Sequence, residues 1–304
     1  LVYDRLLLFM RDATLIRTKM FDRFKMACVD LRSGLKPFIR IFVEIFIILV
    51  VAGGVILVEK KMELPERGYM VDNSILYPYK PNTVTTGTAV ITSSAIIIIN
   101  VSLVEFFRKK SHGRKGVNYF PLLKQHTWVG DIYQILMVAV FHGLALLFIT
   151  CIAKKHIGRP RPHFVDLCRL DNEYRYRFGF SCTVSTEMTE VSDKVRESFP
   201  SGHSACVFFA ATFLMIYNQW RIQNLPSLKS VLHVTYICLA FFVSASRVVD
   251  NQHHASDVFA GATLGVIFAV MAHWCLADGK SIPAYLQGKN LRNREESKTR
   301  TNER

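Results

Sequence analysis

Three cations in this sequence are of the types and spacing that bind phosphate: Lys154, Arg161 and Arg247. An arginine guanidinium is a planar fork that matches two phosphate oxygens, and a lysine adds a compact positive charge. If the chain brings the three side chains together, they would stabilise the negative charge on the oxygens of a phosphoryl group during its transfer.

Ser201, Gly202 and His203 stand at the beginning of an apolar stretch. The first backbone N–H groups of a helix have no partner within the helix and attract anions. Gly202 would let a ligand approach the backbone closely. This cluster therefore suits a phosphate group as well, although Ser201 as a simple helix N-cap is an adequate explanation of the cluster taken alone.

The histidines near these cations can supply a nucleophile and a proton donor, which phosphoryl transfer needs when no metal takes part. Asp257 follows His253 by four residues and His254 by three. On a helix the carboxylate could therefore hold one imidazole and leave its other nitrogen free to attack. Residue chemistry alone does not choose between His253 and His254. His203 would protonate the leaving alkoxide.

The composition indicates which elements must position these residues. Of 304 residues, 50% are apolar and 20% are charged, and the formal net charge is +14. The charge alone would suit a nucleic-acid binder, but the apolar runs do not, and we expect no nucleic-acid partner. Six stretches approach the roughly 20 apolar residues that cross a bilayer. They cover 38–58, 84–107, 130–152, 202–220, 231–245 and 257–277. We therefore predict an all-α membrane protein with six transmembrane helices.

The distribution of Lys and Arg predicts the orientation of these helices. With a cytoplasmic N-terminus, most of the 38 basic residues fall in cytoplasmic segments, as the positive-inside rule requires. The three clusters, at 154–162, 199–204 and 246–257, then share the extracytoplasmic face. The expected location is the plasma membrane with an extracellular active site. An internal membrane with a lumenal site is the alternative.

Together the clusters resemble the signature motifs of the type 2 phosphatidic acid phosphatase superfamily. Those motifs are Lys, six residues, Arg-Pro; then Pro-Ser-Gly-His; then Ser-Arg, five residues, His, three residues, Asp. The chain fills every fixed position, with Lys154 and Arg161-Pro162, with 200–203, and with Ser246-Arg247, His253 and Asp257. The six-span plan also resembles the integral-membrane lipid phosphate phosphatases, including the wunen type.

The resemblance implies a catalytic role for three residues. His253, rather than His254, would be the nucleophile and would form a phosphohistidine. Asp257 would orient it, and His203 would be the general acid. The resemblance implies that five further residues bind the phosphate group: Lys154, Arg161, Ser201, Gly202 and Arg247.

The resemblance also implies the reaction. Phosphatidate, lysophosphatidate, ceramide 1-phosphate and sphingosine 1-phosphate would be hydrolysed to the dephosphorylated lipid and inorganic phosphate. No metal ion and no cofactor is expected. The partners are then the lipid phosphate substrate and the membrane, and relatives commonly form homo-oligomers.

The predicted domain organisation has three parts. Residues 1–37 form a basic cytoplasmic arm, 38–277 the six-span catalytic domain, and 278–304 a disordered cytoplasmic tail. Cys168 and Cys182 both fall in the long extracytoplasmic loop, where an oxidising environment would allow a disulfide, although two free thiols are the alternative.

Three other functions compete with this interpretation. A non-enzymatic, lipid-binding relative would lack some of the catalytic residues, whereas none is missing here. A phosphotransferase or a sugar-phosphate phosphatase could use the same scaffold. A transporter would predict inverted repeats or broken helices, and the sequence has neither.

Overall fold

The computed structural model describes residues 37–65, 69–112, 127–168, 176–177, 194–222 and 225–276. Within these ranges it has seven α-helices: α1 Pro37–Lys61, α2 Thr86–His112, α3 Thr127–Ile157, α4 Phe164–Cys168, α5 Gly202–Arg221, α6 Pro226–Val249 and α7 Ala255–Leu276. Two strands of two residues each, β1 Tyr69–Met70 and β2 Tyr176–Arg177, pair antiparallel. The described residues are thus predominantly helical, as the apolar stretches predict.

Five of these helices are long and apolar enough to cross a membrane, namely Ile41–Lys61, Thr86–Phe107, Val129–Ile157, Pro226–Val249 and Ala255–Leu276. The α5 helix is not among the five, because polar residues such as His203 and Asn218 lower the mean hydropathy near its two ends. Five candidate spans are therefore established within the described residues. The sixth span remains a prediction.

The α5 helix packs against α2, α3 and α6, and most of its central side chains are buried. A helix that is surrounded by other helices needs fewer lipid-facing apolar residues than a helix at the edge of a bundle. This position explains why the 202–220 stretch is the least hydrophobic of the predicted spans. It also places the beginning of α5 among the ends of its neighbours.

Two glycines bring α7 against the beginning of α5. A Cβ atom added at Gly261 would collide with the carbonyl oxygen of Ser201, and one at Gly265 would collide with the carbonyl oxygen of Ala205. Small residues four apart let two helix backbones approach closely, a common arrangement between membrane helices. The contact holds the first turns of α5 and α7 side by side.

A small apolar core lies beside the ends of these helices. Its buried members are Ile75, Phe164, Val165, Leu167, Cys168 and Val195, and Val71 and Tyr79 pack against it. They come from the α1–α2 loop, from α4 and from the segment before α5. The core therefore packs the α1–α2 loop and the segment before α5 against α4.

Several predictions fall outside the described residues. They concern the arm at 1–36, the tail from 278 onward and most of the loop at 169–193. Cys168 is disulfide-bonded. Its predicted partner, Cys182, is not described, so that pairing stays a prediction, as do the three domain boundaries.

Candidate active site

The chain that follows α3 lies beside the chain that precedes α5. Gly158 takes a φ of 59°, in the left-handed region that glycine adopts without strain, and turns the chain after the helix. The Arg161 N–H then donates to the Val195 carbonyl at 2.8 Å, and the Ser198 N–H donates to the Arg159 carbonyl at 3.1 Å. These bonds bring the first and second sequence clusters into contact.

Lys154 lies in the last turn of α3 and points at the first turn of α5. Its Nζ is 4.0 Å from the place that a Cβ atom on Gly202 would occupy. A larger residue than glycine would therefore stand beside the ammonium group and narrow the space between that group and the helix N-terminus. The structure thus brings together two of the residues, Lys154 and Gly202, for which the resemblance implies phosphate binding.

Ser201 joins the second cluster to the third. Its backbone N–H donates to the Asp257 carbonyl at 3.0 Å, and its Oγ accepts the Ser204 N–H at 3.5 Å as the N-cap of α5. The amide of Ser201 is thus occupied by the protein. Any binding of phosphate by this residue would have to use its hydroxyl group, and the next amides of α5 are the ones that begin the open end of the helix.

Arg247 is completely buried at the end of α6. Its Nη2 donates to Asp250 Oδ2 at 2.7 Å and to Ser246 Oγ at 2.9 Å, its Nη1 donates to Asn82 Oδ1 at 2.9 Å, and its Nε donates to Ser246 Oγ at 3.1 Å. A guanidinium has five N–H donors. Four are used by these contacts, which hold the group rigidly and leave one donor for a ligand.

His253 is held by a backbone carbonyl. Its Nδ1 lies 2.6 Å from the carbonyl oxygen of Ser198, whereas Asp257 Oδ2 is 3.9 Å away. Because a carbonyl only accepts, Nδ1 must carry the proton, and Nε2 keeps its lone pair. This differs from the predicted direct hydrogen bond to Asp257. The reason is that α7 begins at Ala255, so His253 lies before the helix and the helical spacing of four residues does not apply.

The surroundings of His253 keep its imidazole neutral. The pKa of His253 is well below its usual value, because the side chain is buried and because the positive charges of Arg161 and Lys154 disfavour a third cation nearby. Burial also lowers the pKa of Arg161 to about 10, which leaves the guanidinium charged at neutral pH. The site thus combines a neutral imidazole with fixed cations.

Asp257 is fully buried and makes its hydrogen bonds to other partners. Its Oδ1 accepts from Arg159 Nη1 at 2.5 Å, and its Oδ2 accepts from the Ser198 hydroxyl at 2.5 Å and from the His254 backbone N–H at 3.0 Å. Sequence reasoning did not assign a role to Arg159 or Ser198. For Arg159, the alternation of Arg and Pro over 159–162 was an available signal.

His254 differs from His253 in having both ring nitrogens engaged. Its Nδ1 lies 3.1 Å from Asp257 Oδ2, and its Nε2 lies 3.2 Å from the carbonyl oxygen of Ser74. Because each ring nitrogen of His254 faces an oxygen of the protein, neither is open to an approaching phosphate group. Of the two histidines between which residue chemistry did not choose, His253 has the arrangement that suits a nucleophile.

His203 lies in the first turn of α5. Its imidazole is hydrogen-bonded to the backbone of Val84 and lies within charge range of Arg247, Lys154 and Arg161. Its Nε2 is buried and has no hydrogen-bond partner among the described residues. An orphaned buried nitrogen beside three cations is suited to a ligand that carries negative charge and an oxygen acceptor.

The α1–α2 loop supports the third cluster, at 246–257, and sequence reasoning missed this role of the loop. Asp250 accepts from the Thr83 hydroxyl at 2.7 Å and from its N–H at 2.8 Å. Gln252 donates to the Lys80 carbonyl at 2.9 Å and accepts from Arg161 Nη1 at 2.7 Å. Two of the prolines of the α1–α2 loop, Pro78 and Pro81, are the signal in the sequence that indicates an ordered, extended segment.

No group of three or more His, Cys, Asp or Glu side chains is placed to hold a metal ion among the residues that the structure describes. The positive charge of the site comes from Lys and Arg side chains on three separate elements. This arrangement can bind the oxygens of a tetrahedral dianion, attack its central atom with an imidazole nitrogen and deliver a proton from a second imidazole.

Comparisons with known proteins find a phosphatase superfamily and phospholipid phosphatases. The PAP2 superfamily matches residues 135–280. Phospholipid phosphatase 1 of Rattus norvegicus is 30% identical over 220 residues, which cover 68% of this chain and 73% of the relative. Phospholipid phosphatase 2 of Rattus norvegicus is 29% identical over 221 residues, covering 69% and 75%. Phospholipid phosphatase 2 of Homo sapiens is 28% identical over 224 residues, covering 69% and 73%. No solved structure matches the chain.

Proposed function

The chain belongs to the PAP2 superfamily, and from this premise we propose that it hydrolyses lipid phosphate monoesters with His253 as the nucleophile. The observation that carries the proposal is the hydrogen bond from His253 Nδ1 to the Ser198 carbonyl, at 2.6 Å. This bond leaves Nε2 unprotonated beside Lys154 and Arg161, whose charges act on the same imidazole.

In the first step, the phosphate group of the substrate lies among Lys154, Arg161, Arg247 and the first turn of α5. His253 Nε2 attacks phosphorus, and the bond between phosphorus and the alkoxide oxygen breaks. His203 gives its proton to the departing alkoxide, and a phosphohistidine remains. The negative charge of the bound phosphate favours the protonated form of His203 before this step.

In the second step, a water molecule attacks the phosphorus of the phosphohistidine. His203, now neutral, accepts the proton of this water. The bond between phosphorus and His253 Nε2 breaks and inorganic phosphate leaves. Both histidines are then in their starting forms, with His253 neutral and His203 protonated. Throughout, the cations stabilise the charge that gathers on the equatorial oxygens.

The proposed substrates are phosphatidate, lysophosphatidate, ceramide 1-phosphate and sphingosine 1-phosphate. The position of the site supports this choice of substrates, because the C-terminal end of α3 and the N-terminal ends of α5 and α7 meet there. With α3 and α7 as candidate spans, acyl chains could stay in the bilayer while the phosphate enters the site. The excess of Lys and Arg in the opposite segments favours an extracytoplasmic site. The proposed location is the plasma membrane, with a lumenal site in an internal membrane as the alternative.

The reaction is proposed to proceed without Mg²⁺. Lys154, Arg161 and Arg247 supply the positive charge that a metal ion supplies in many other phosphoryl-transfer sites. The homo-oligomer that relatives suggest stays a prediction.

The test measures phosphate release by purified protein in detergent micelles, with each of the four lipids and with excess EDTA. We expect phosphate release that is unchanged by EDTA. The His253→Ala substitution should abolish it. His156→Ala is the matched control, because His156 is exposed at the end of α3 and has no role in the proposed reaction. Undiminished turnover by His253→Ala, or a loss with EDTA that Mg²⁺ restores, would contradict the proposal.

A further inference from the structure

Glu197 is a buried carboxylate at the edge of the phosphate site, and the mechanism above does not use it. The residue is 2% exposed. Its N–H donates to the Lys194 carbonyl at 3.1 Å, and the neighbouring Ser198 N–H donates to the Arg159 carbonyl at 3.1 Å. These backbone bonds fix the carboxylate between the end of α3 and the beginning of α5.

The charge of Glu197 acts on the cations of the site. Its Oε1 lies 2.6 Å from Nζ of Lys155, and both side chains are largely buried. Lys155 is next to Lys154 in the last turn of α3. The carboxylate also attracts the Lys154 ammonium and the Arg161 guanidinium, and it is the strongest attractive charge that acts on either.

The ion pairs of the site leave two cations without a matching carboxylate. Arg247 pairs with Asp250 at 2.7 Å, Arg159 pairs with Asp257 at 2.5 Å, and Lys155 pairs with Glu197 at 2.6 Å. Among the described residues, no ion pair includes Lys154 or Arg161. The two unpaired positive charges balance the two negative charges of a phosphate monoester dianion. Without Glu197, Lys155 would be a third unpaired cation.

We propose that Glu197 limits the affinity of this site for inorganic phosphate and so speeds the release of the product, an inference that rests on the proposed function. Substrate and product both carry a phosphate dianion. Cations that bind both equally well lower KM and slow product release without raising kcat. A fixed carboxylate beside the site weakens this uniform binding.

The experiment replaces Glu197 by Gln and measures the inhibition constant of inorganic phosphate, together with kcat and KM. Because a buried unit charge beside the cations that bind a dianion changes this binding strongly, the inhibition constant should fall by about tenfold. The direction of the change in the inhibition constant distinguishes an effect of charge from a structural effect. A carboxylate with only a structural role would loosen the site when replaced, and the inhibition constant and KM would rise together, which would overturn the inference.

Three further variants make the test specific to charge. Glu197→Asp keeps the charge and should leave the inhibition constant within about twofold of the unsubstituted protein. Lys155→Met removes the partner cation and should raise the constant. Glu63→Gln removes an exposed carboxylate of the α1–α2 loop and should change nothing.

The outcomes separate this inference from the proposed function. Absence of lipid phosphate hydrolysis by the unsubstituted protein would reject the proposed function. An active Glu197→Gln variant with an unchanged or higher inhibition constant would reject the inference alone. If Glu197→Gln does not fold, the double variant Lys155→Met with Glu197→Gln decides, because it removes both members of the ion pair. An inhibition constant below that of Lys155→Met supports the inference, and an equal or higher one overturns it.

Discussion

The Nδ1 atom of His253 lies 2.6 Å from the carbonyl oxygen of Ser198 and 3.9 Å from Oδ2 of Asp257. The same serine donates its hydroxyl to Asp257 Oδ2 at 2.5 Å. Asp257 is thus connected to the imidazole through Ser198. The backbone carbonyl sets the tautomer of His253, and the carboxylate holds the residue that provides this carbonyl.

Ser198→Ala removes the hydroxyl group and leaves the carbonyl in place. We expect kcat to fall about tenfold with little change in KM, because Asp257 loses one of its hydrogen bonds while His253 keeps its acceptor. Steady-state kinetics in micelles measures both constants. A loss as complete as that of His253→Ala would show that the hydroxyl, and not the carbonyl, orients the nucleophile.

The charge state of His253 gives a second prediction. Its pKa is well below 6.5 because of burial and of the nearby cations Arg161 and Lys154. A lowered pKa means that the imidazole stays neutral as the pH falls from 8 to about 6.5 and gains a proton only below that range. Nitrogen-15 NMR of histidine-labelled protein, with His253→Ala for assignment, measures this directly. Titration of the His253 signal at or above pH 6.5 would be inconsistent with the site described.

The sequence predicted some of these features because they depend on local pattern. Helix positions follow from apolar stretches, and the roles proposed for Lys154 and His253 rest on the motifs that the chain shares with the family. The Ser198 carbonyl and the Lys80 carbonyl were not predictable, because every residue has a carbonyl and only the folded chain decides which one reaches His253 or Gln252. The buried position of α5 depends likewise on its neighbours and not on its own hydropathy.

Arg247→Met tests the contribution of a buried cation to stability. The substitution would leave Asp250, whose side chain is 6% exposed, without its partner at 2.7 Å. Breaking a buried ion pair typically costs about 3–5 kcal/mol. We expect a clear fall in the unfolding temperature in detergent as well as loss of activity.

Lys80→Met is the comparison for Arg247→Met. Among the described residues, the Nζ of Lys80 reaches only the Val249 carbonyl, at 3.1 Å, and the side chain is exposed. Its unfolding temperature should stay close to that of the unsubstituted protein. Equal falls for the two variants would mean that the Arg247–Asp250 pair is not the source of the stability.

Gly261→Ala tests the contact between α7 and α5. The added Cβ would collide with the Ser201 carbonyl oxygen, so α7 and the first turn of α5, which carries Gly202 and His203, must move apart. We expect a loss of kcat/KM of about a hundredfold, as a displacement of this kind near reacting groups produces. Gly53→Ala, whose added Cβ meets nothing within 4 Å, should be fully active. Normal activity of Gly261→Ala would show that the close approach is not required.

The most direct test of the central claim is to trap the covalent intermediate. Purified protein is mixed with phosphatidate that carries a radioactive phosphate group, quenched within milliseconds, and examined for labelled protein that is stable in base and labile in acid, as a phosphohistidine is. We expect such a label at His253 and none in His253→Ala. With a different substrate that has a good leaving group, the first step no longer needs His203, and His203→Ala should then accumulate more label. Label that persists in His253→Ala, or full turnover without any labelled protein, would contradict the proposed mechanism.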